Sequence, residues 1–346
     1  MPGQRRGVNL RSRDERATLD NLACTRRFAA RSGVRCPGRR PYALPPMPPN
    51  DFLALAHGAR RQVIGRRALL AGAAASAGLS ASLRRAQADA EPDWRPRDLD
   101  VREVRVPGSL SQLFVLAAPR HLESYERVPL VVLLHGLGET GNARMGAWAW
   151  LERYGLGTSY DRLRAAGSMR GLVLACPYMP DLPVADPRAF DEYARWLVET
   201  VVPRARHEAP AAFDNPAFTY LGGCSLGGHF SLEVLLRRPE AFSAWAGVQT
   251  AIGEGAGERY AARLGQSGSH ALLVETSTGD AFHAGNEALS RALTRAGVAS
   301  TFVELPGPHD QPWLRRSGTA RMLSWLDDLP RPERRPDPPE RHAAPR

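Results

Sequence analysis

Residues 220–228 read Tyr-Leu-Gly-Gly-Cys-Ser-Leu-Gly-Gly and constrain the fold more than any other part of the chain. They place Gly223, Ser225 and Gly227 in a G-x-S-x-G pattern, directly after a short apolar run and directly before a helical pattern. A serine in this context is typical of a sharp strand-to-helix turn, where the two glycines let neighbouring backbones approach without a Cβ clash. The alternative is an ordinary glycine-rich turn, so the rest of the chain has to decide between them.

Short apolar runs alternate with helical patterns on both sides of this turn. The alternation predicts an α/β protein with a mostly parallel eight-stranded sheet and helices on both faces. The predicted strands are residues 101–106, 110–117, 129–134, 172–175, 218–221, 243–250, 271–275 and 301–305. The predicted helices are residues 188–208, 226–238, 286–296 and 319–329, and the segment 144–163 is rich in aromatic residues.

The formal net charge of +10 is unevenly distributed along the 346 residues. Residues 1–88 carry +13, whereas residues 89–346 carry −3. Because the excess is confined to the N-terminal quarter, the charge favours a targeting segment over a nucleic-acid-binding surface. No run of strongly apolar residues is long enough for an ordinary transmembrane helix, so no stable membrane span is expected.

Residues 60–88 have the pattern of an export signal. Arg66-Arg67 precedes Leu69-Leu70, an Ala/Gly/Ser/Leu run follows, and Ala86-Gln87-Ala88 closes the segment. This order resembles a twin-arginine signal peptide, with Gly65 where Ser or Thr is common. It predicts the twin-arginine export machinery as a partner and a periplasmic or extracellular location. The alternative is a short amphipathic helix.

The flanking regions complete the predicted domain organisation. Residues 1–59 are expected to be a disordered basic extension. Since Met47 gives the arginine pair a normal lead and Met1 an abnormally long one, residues 1–46 are interpreted as a mis-called extension. Residues 89–329 form the predicted catalytic domain, and residues 330–346, rich in Pro, Arg and Glu, form a loose tail.

A catalytic serine needs a base and an orienting carboxylate. Asp280 follows the predicted strand 271–275, and His309 follows the predicted strand 301–305. The order Ser225, Asp280, His309 is the chain order of serine, acid and histidine in α/β proteins whose reactive serine lies on such a strand-to-helix turn. All three positions fall where parallel strands end. Alternatives remain open: His283 as the base, or Glu275, Glu304 or Asp310 as the acid.

A serine hydrolase also needs two N–H donors for the oxyanion that forms during attack. One is expected from Leu226, directly after Ser225. The other is expected from Leu137, with Gly138 as the alternative, in the His135-Gly136-Leu137-Gly138 segment after the third strand. His135 itself is interpreted as a structural hydrogen-bonding group. Four aromatic residues, together with Gly138, either belong to the core or line a substrate pocket: Trp148, Trp150, Tyr154 and Trp313.

Four segments together resemble the esterase branch of the α/β-hydrolase superfamily, over about residues 105–329. They are His135–Gly138, Gly223–Gly228, Thr278-Gly279-Asp280 and the run from Pro306 to Trp313. The branch includes esterase D-like, feruloyl esterase-like and polyhydroxyalkanoate depolymerase-like proteins. The resemblance implies an α/β-hydrolase fold and hydrolysis of a small-molecule or polymer-borne carboxylic ester.

Two alternatives to an esterase remain at this point: an acyltransferase on the same scaffold, and a non-catalytic binding protein with a hydrolase fold. No metal or organic cofactor is implied, because no C-x-x-C or Cys/His metal spacing occurs. Only a short connection separates the predicted strands 243–250 and 271–275, so a large cap domain is not expected. Any lid would have to come from residues 139–168.

Two cysteines, Cys176 and Cys224, lie in the predicted domain. They are predicted to be unpaired, because the usual strand order of this fold places the strand 129–135 between theirs. Neighbouring strands lie about 4.8 Å apart, so two steps exceed the reach of a disulfide.

Overall fold

The computed structural model describes residues 95–107, 112–122, 126–182 and 186–332. The proposed export signal, the basic extension, and residues 333–346 of the proposed tail lie outside these described residues.

Eight strands form one sheet in the order β1-β2-β4-β3-β5-β6-β7-β8. Strands β1 and β2, and likewise β2 and β4, pair antiparallel, whereas all other neighbours pair parallel. The mostly parallel eight-stranded sheet is therefore confirmed. The strands are β1 (Leu99–Arg105), β2 (Leu113–Pro119), β3 (Leu130–Leu134), β4 (Val173–Pro177), β5 (Thr219–Cys224), β6 (Ala244–Val248), β7 (Ala271–Gly279) and β8 (Thr301–Pro308).

Helices cover both faces of the sheet and enclose two hydrophobic cores. The helices are α1 (Ala143–Glu152), α2 (Leu156–Ala165), α3 (Pro187–Trp196), α4 (Val202–Glu208), α5 (Leu226–Arg237), α6 (Gly257–Ser267), α7 (His283–Arg295), α8 (Gln311–Trp313) and α9 (Thr319–Asp328). One core lies under α3, α5, α6 and α7, and the other lies under α1, α2 and α9.

The central strands read as apolar runs because they are buried on both faces. All five residues of β3 and all six of β5 are buried. A parallel strand covered by helices on both sides exposes neither face to water, so its sequence does not alternate. This is why these strands are recognisable as continuous apolar runs and why the turn at Ser225 follows a strand that is buried along its whole length.

The predicted helix 188–208 is interrupted. A π-helical turn, Leu197–Val201, separates α3 from α4, and Pro203 lies at the start of α4. Proline lacks the N–H that an α-helix requires there and its ring crowds the preceding turn. A wider turn immediately before the proline accommodates both effects, which the apolar spacing alone could not reveal.

The predicted tail begins later than residue 330. The guanidinium of Arg331 donates to the Gly171 carbonyl and to the Asp327 carboxylate, and its side chain is only 5% exposed. Asp327 in turn accepts from the backbone N–H groups of Arg170 and Gly171 at the start of β4. Residue 331 is thus anchored to the sheet, which corrects the boundary of the predicted loose tail.

The connection between β6 and β7 consists of residues 249–270, of which α6 forms half. A connection of this length does not contain a large cap domain. The segment 139–168, where a lid could have formed, instead folds as α1 and α2, whose apolar residues pack on the sheet. Strand β3 lies between the strands of Cys176 and Cys224, as predicted, and within the part of the chain that the structure describes both thiols are buried and form no disulfide. Within the described residues, no helix has the length and apolar character needed to cross a membrane.

Candidate active site

Ser225 occupies a sharp turn between β5 and α5. Its backbone has φ 54° and ψ −120°, in a region that residues with a side chain rarely adopt. The turn is possible because a Cβ at Gly223 would lie 2.4 Å from the Gly227 carbonyl, and one at Gly227 would lie 2.3 Å from the Leu134 carbonyl. Only glycine fits at these two places. The G-x-S-x-G spacing thus reports a real close approach of three segments.

Ser225, His309 and Asp280 form a continuous hydrogen-bonded chain. Ser225 Oγ lies 3.0 Å from His309 Nε2, and His309 Nδ1 lies 2.7 Å from Asp280 Oδ1. A carboxylate can only accept, so Nδ1 carries the proton and the lone pair of Nε2 faces the serine hydroxyl. This arrangement can remove the serine proton during attack on a carbonyl carbon.

The Asp280 carboxylate is held by three donors. Thr276 Oγ1 donates to Oδ2 at 2.8 Å and Phe282 N donates to Oδ1 at 2.9 Å, in addition to His309. The carboxylate has no exposed surface, whereas the His309 side chain is 27% exposed. Three donors offset the desolvation of a buried carboxylate. Phe282 also packs edge-on against the His309 ring, at 5.6 Å between centroids.

The structure brings together Ser225, Asp280 and His309. The side chains considered as an alternative base or acid either have other partners or have none in the described part of the chain. His283 Nε2 pairs with the Glu304 carboxylate at the rim. The Asp310 carboxylate accepts from Trp313 N at 2.7 Å and so caps α8. The Glu275 side chain is buried within β7, and neither of its carboxyl oxygens has a hydrogen-bond partner among the described residues.

Two backbone N–H groups flank the serine. Leu226 is the first residue of α5, and Leu137 is the first residue of a 3₁₀ turn, Leu137–Glu139, so neither N–H has an acceptor within its own helix. The loop after β3 lies against Ser225, since a Cβ at Gly136 would be 3.7 Å from Ser225 Cβ. Gly138 is exposed, and a side chain there would meet no atom within 4 Å.

His135 has the structural role expected from the sequence. It is fully buried, its Nδ1 lies 2.9 Å from the Gly136 carbonyl, and its Nε2 accepts from Met179 N at 2.9 Å. Since Nε2 accepts, Nδ1 must be the donor. Burial lowers the pKa of His135 to about 4, so the ring stays neutral at physiological pH.

A buried hydrogen-bonded cluster around Glu139 lies behind the loop that follows β3. The sequence did not predict it. The Tyr154 hydroxyl donates to Glu139 Oε2 at 2.5 Å and accepts from Gly136 N at 3.1 Å. Gln311 Nε2 donates to Glu139 Oε1 at 3.1 Å. Burial raises the pKa of Glu139, while the Tyr154 hydrogen bond and nearby Arg153 oppose the rise. The cluster thus connects the loop after β3 to the segment that follows His309.

The proposed pocket aromatics belong to the core. Trp150 and Trp313 are essentially without exposed surface, and a side chain without accessible surface cannot line an open pocket. Trp148 is 9% exposed, and its indole N–H donates to Glu103 on β1. Tyr154 is 2% exposed and serves the loop rather than a pocket. The pocket interpretation of these four residues is corrected accordingly.

Trp313 nevertheless supports the site from below. Its indole N–H donates to the Pro306 carbonyl at 3.0 Å, and a Cβ at Gly307, where φ is 139°, would lie 2.2 Å from the indole. The ring thus packs directly on the backbone that leads to His309. Within the described ranges, no cluster of His, Cys, Asp or Glu has the grouping of a metal site.

No protein-family model matches the chain, and no curated protein matches it in sequence. Solved structures do match the fold. They include a ferulic acid esterase, with 17% identity and a TM-score of 0.55 over 66% of this chain and 98% of that one. A mutant feruloyl esterase module from Clostridium thermocellum complexed with sinapinate has 13% identity and a TM-score of 0.56 over 70% and 95%.

A third neighbour is FphF, a fluorophosphonate-binding serine hydrolase of Staphylococcus aureus. It has 12% identity and a TM-score of 0.52, over 68% of this chain and all of that one. At such low identities the likeness defines the fold. The chain has the α/β-hydrolase fold, and its structural neighbours are esterases and serine hydrolases.

Proposed function

We propose that this protein is a serine hydrolase that cleaves carboxylic esters. The single observation that carries the proposal is the hydrogen-bonded chain from Ser225 Oγ through His309 to Asp280. It lies at the carboxyl ends of parallel strands, where ligands of open α/β sheets bind. The esterase names of the structural neighbours support the same reaction class.

The geometry supports a two-step reaction. Ser225 Oγ attacks the ester carbonyl carbon while His309 Nε2 takes the hydroxyl proton, and the N–H groups of Leu137 and Leu226 donate to the resulting oxyanion. The tetrahedral intermediate collapses, the bond to the alcohol oxygen breaks, and Nε2 returns the proton to the departing alcohol. Water then attacks the acyl-enzyme by the same route and releases the acid.

Two measurements test the reaction. The first is turnover of aryl esters with varied acyl length by the wild type and by Ser225→Ala. The second is labelling with a fluorophosphonate probe followed by mass mapping of the modified residue. We expect turnover, loss of turnover in Ser225→Ala, and labelling at Ser225. Acyl transfer to an added alcohol would favour the acyltransferase alternative. The absence of both turnover and labelling would favour a non-catalytic protein.

We also propose that the protein is exported, from the sequence of residues 60–88. The twin-arginine pair and the Ala86-Gln87-Ala88 site support cleavage that leaves a mature N-terminus near Asp89. N-terminal sequencing of the protein from a host with twin-arginine export tests this. A stable cytoplasmic product that retains residues 60–88 would refute it.

A further inference from the structure

Gln249 has a backbone conformation that few side chains tolerate. In the part of the chain that the structure describes, it and Ser225 are the only non-glycine residues with positive φ, and its φ is 48°. Such outliers persist where the surrounding structure determines them, and they concentrate at functional sites. Gln249 directly follows β6 and lies next to Val248, which is hydrogen-bonded to Ser225. Its unusual backbone conformation is therefore part of the structure that surrounds the site.

The backbone contacts explain why the chain must turn there. Ser225 N donates to the Val248 carbonyl, and Ala251 N donates back to the Ser225 carbonyl, each at 2.9 Å. Gln249 N donates to the Glu275 carbonyl on the next strand. The chain therefore has to turn at the end of β6, from its contact with β7 back to Ser225, within three residues, and a left-handed residue at position 249 makes that reversal.

The side chain of Gln249 then points into the space between two catalytic loops. It is 1% exposed, and its Nε2 donates to Ser277 Oγ at 2.6 Å and to the Pro308 carbonyl at 2.9 Å. Ser277 precedes Asp280 by one turn of chain, and Pro308 directly precedes His309. A single amide nitrogen thus uses both of its hydrogens on the two segments that carry the acid and the base.

The pairing of β7 with β8 is irregular at this point. The pairing of β7 with β8 is regular up to Ser277 and Leu305, and its register then shifts before Gly279 pairs with Pro308. Ladder hydrogen bonds alone therefore do not define how Asp280 and His309 stand relative to each other. The Gln249 amide bridges the two strands where their backbone pairing is irregular.

We infer that Gln249 is a positioning residue that holds His309 and Asp280 in line with Ser225. The inference rests on the proposed function. It requires that loss of the amide donor moves the reactive groups, and a misplacement of about 1 Å can lower a rate about a hundredfold. A purely structural amide would instead affect stability alone.

The first test compares Gln249→Met with a matched control, Tyr160→Phe. Methionine has a similar length but no donor. Tyr160 is also buried and bonds the backbone at Leu172, which precedes β4 and so lies at the other end of the strands from Gln249. We measure kcat and KM on one aryl ester, the rate of fluorophosphonate labelling at Ser225, and the midpoint of thermal unfolding. Both variants should unfold at lower temperature.

The expected results separate positioning from stability. In Gln249→Met, kcat and the labelling rate should fall about ten- to a hundredfold with KM changed much less, because the reactive groups are misaligned. In Tyr160→Phe both rates should stay within about twofold of wild type. A folded Gln249→Met that turns over and labels at the wild-type rate would overturn the inference.

A second variant decides the matter if Gln249→Met does not fold. Gln249→Glu keeps the shape, and its carboxyl can donate to the Pro308 carbonyl only when protonated. Its kcat, divided by that of wild type at the same pH, should therefore fall as the pH rises. A ratio that does not change with pH refutes the inference. An inactive, unlabelled wild type would refute the proposed function instead.

Discussion

At the scale of single residues, Ser225, His309 and Asp280 depend on one another, so their substitutions should not add. Ser225→Ala and His309→Ala should each lower kcat/KM by on the order of 10⁴–10⁶, and the double variant should be scarcely worse. Asp280→Asn should cost about as much or less, because it acts through the tautomer of His309. All four variants are compared on one aryl ester, with folding checked by circular dichroism.

Two outcomes would contradict this assignment. One is a folded Ser225→Ala with a near wild-type rate. The other is a His283→Ala variant as damaging as His309→Ala, since His283 is bound to Glu304 at the rim.

Tyr154 is a second residue whose chemistry can be isolated. Its hydroxyl is the only described link between the Gly136 N–H and the Glu139 carboxylate. Tyr154→Phe removes that hydroxyl and leaves both groups buried without it, so the loop that carries Leu137 should loosen. We expect kcat to fall about tenfold with a smaller change in KM, and the unfolding midpoint to drop. A variant with lower stability and unchanged kcat would show that the cluster serves the fold alone.

The contact between Ser225, His309 and Asp280 could be predicted from the sequence, but the residues that hold them in place could not. Ser225, Asp280 and His309 each follow an apolar run and have a residue type suited to one role, so order and position identify them. Glu139 and Gln249 have ordinary residue types for a loop. Their importance comes from contacts with Tyr154 and Pro308, distant in sequence, which no local pattern encodes.

At the scale of elements, a partly buried charge cluster joins α5 to α6. Glu233 on α5 bonds Arg237, one turn further on, and Arg263 and Tyr260 on α6. Burial alone would raise the pKa of Glu233, but the two guanidinium groups outweigh it and lower the pKa to about 2. The cluster therefore links α5, which begins directly after Ser225, to α6.

Glu233→Gln should destabilise the protein at neutral pH by about 3 kcal/mol, because it removes the carboxylate that Arg263 contacts and leaves Arg237 with Asp191 alone. The folded pKa lies below the ordinary 4.5, so the stabilisation is present above pH 4.5 and is lost as the pH falls towards 2. Urea unfolding of both proteins at pH 7 and pH 3 measures this. The difference between them should shrink at the lower pH, and a constant difference would contradict the assignment.

The eight strands were located from the sequence, although β7 and β8 extend four and three residues beyond their predicted ends, whereas several features of the helices were not predicted. The buried parallel strands are continuous apolar runs, whereas the π turn before Pro203 and the anchoring of Arg331 arise from tertiary contacts. Helix α7 begins at His283, one turn before the predicted start, because its first turn is set by the Asp280 loop and not by apolar spacing.

At the scale of the whole molecule, two hydrophobic cores lie on opposite faces of the sheet, and one contains an unpaired acid. Glu275 on β7 has no exposed surface, and neither carboxyl oxygen has a partner among the described residues. Burial raises its pKa to about 8, and Arg321 only partly opposes this. The carboxyl is therefore neutral in the folded protein at physiological pH, which is how an apolar core tolerates it.

This acid should make stability fall on the alkaline side. Because the folded pKa of about 8 lies above the ordinary 4.5, the folded state binds the extra proton between these values. Stability is full below pH 4.5 and declines as the pH rises to about 8, by a few kcal/mol. Glu275→Gln stays neutral throughout, so its advantage over wild type should be small at pH 5 and largest at pH 9. Urea unfolding at both pH values measures the gap. The matched change Glu254→Gln, at an exposed site, should show no such growth. A gap for Glu275→Gln that is equal at pH 5 and pH 9 would mean that the buried carboxyl is ionised and compensated in the folded protein.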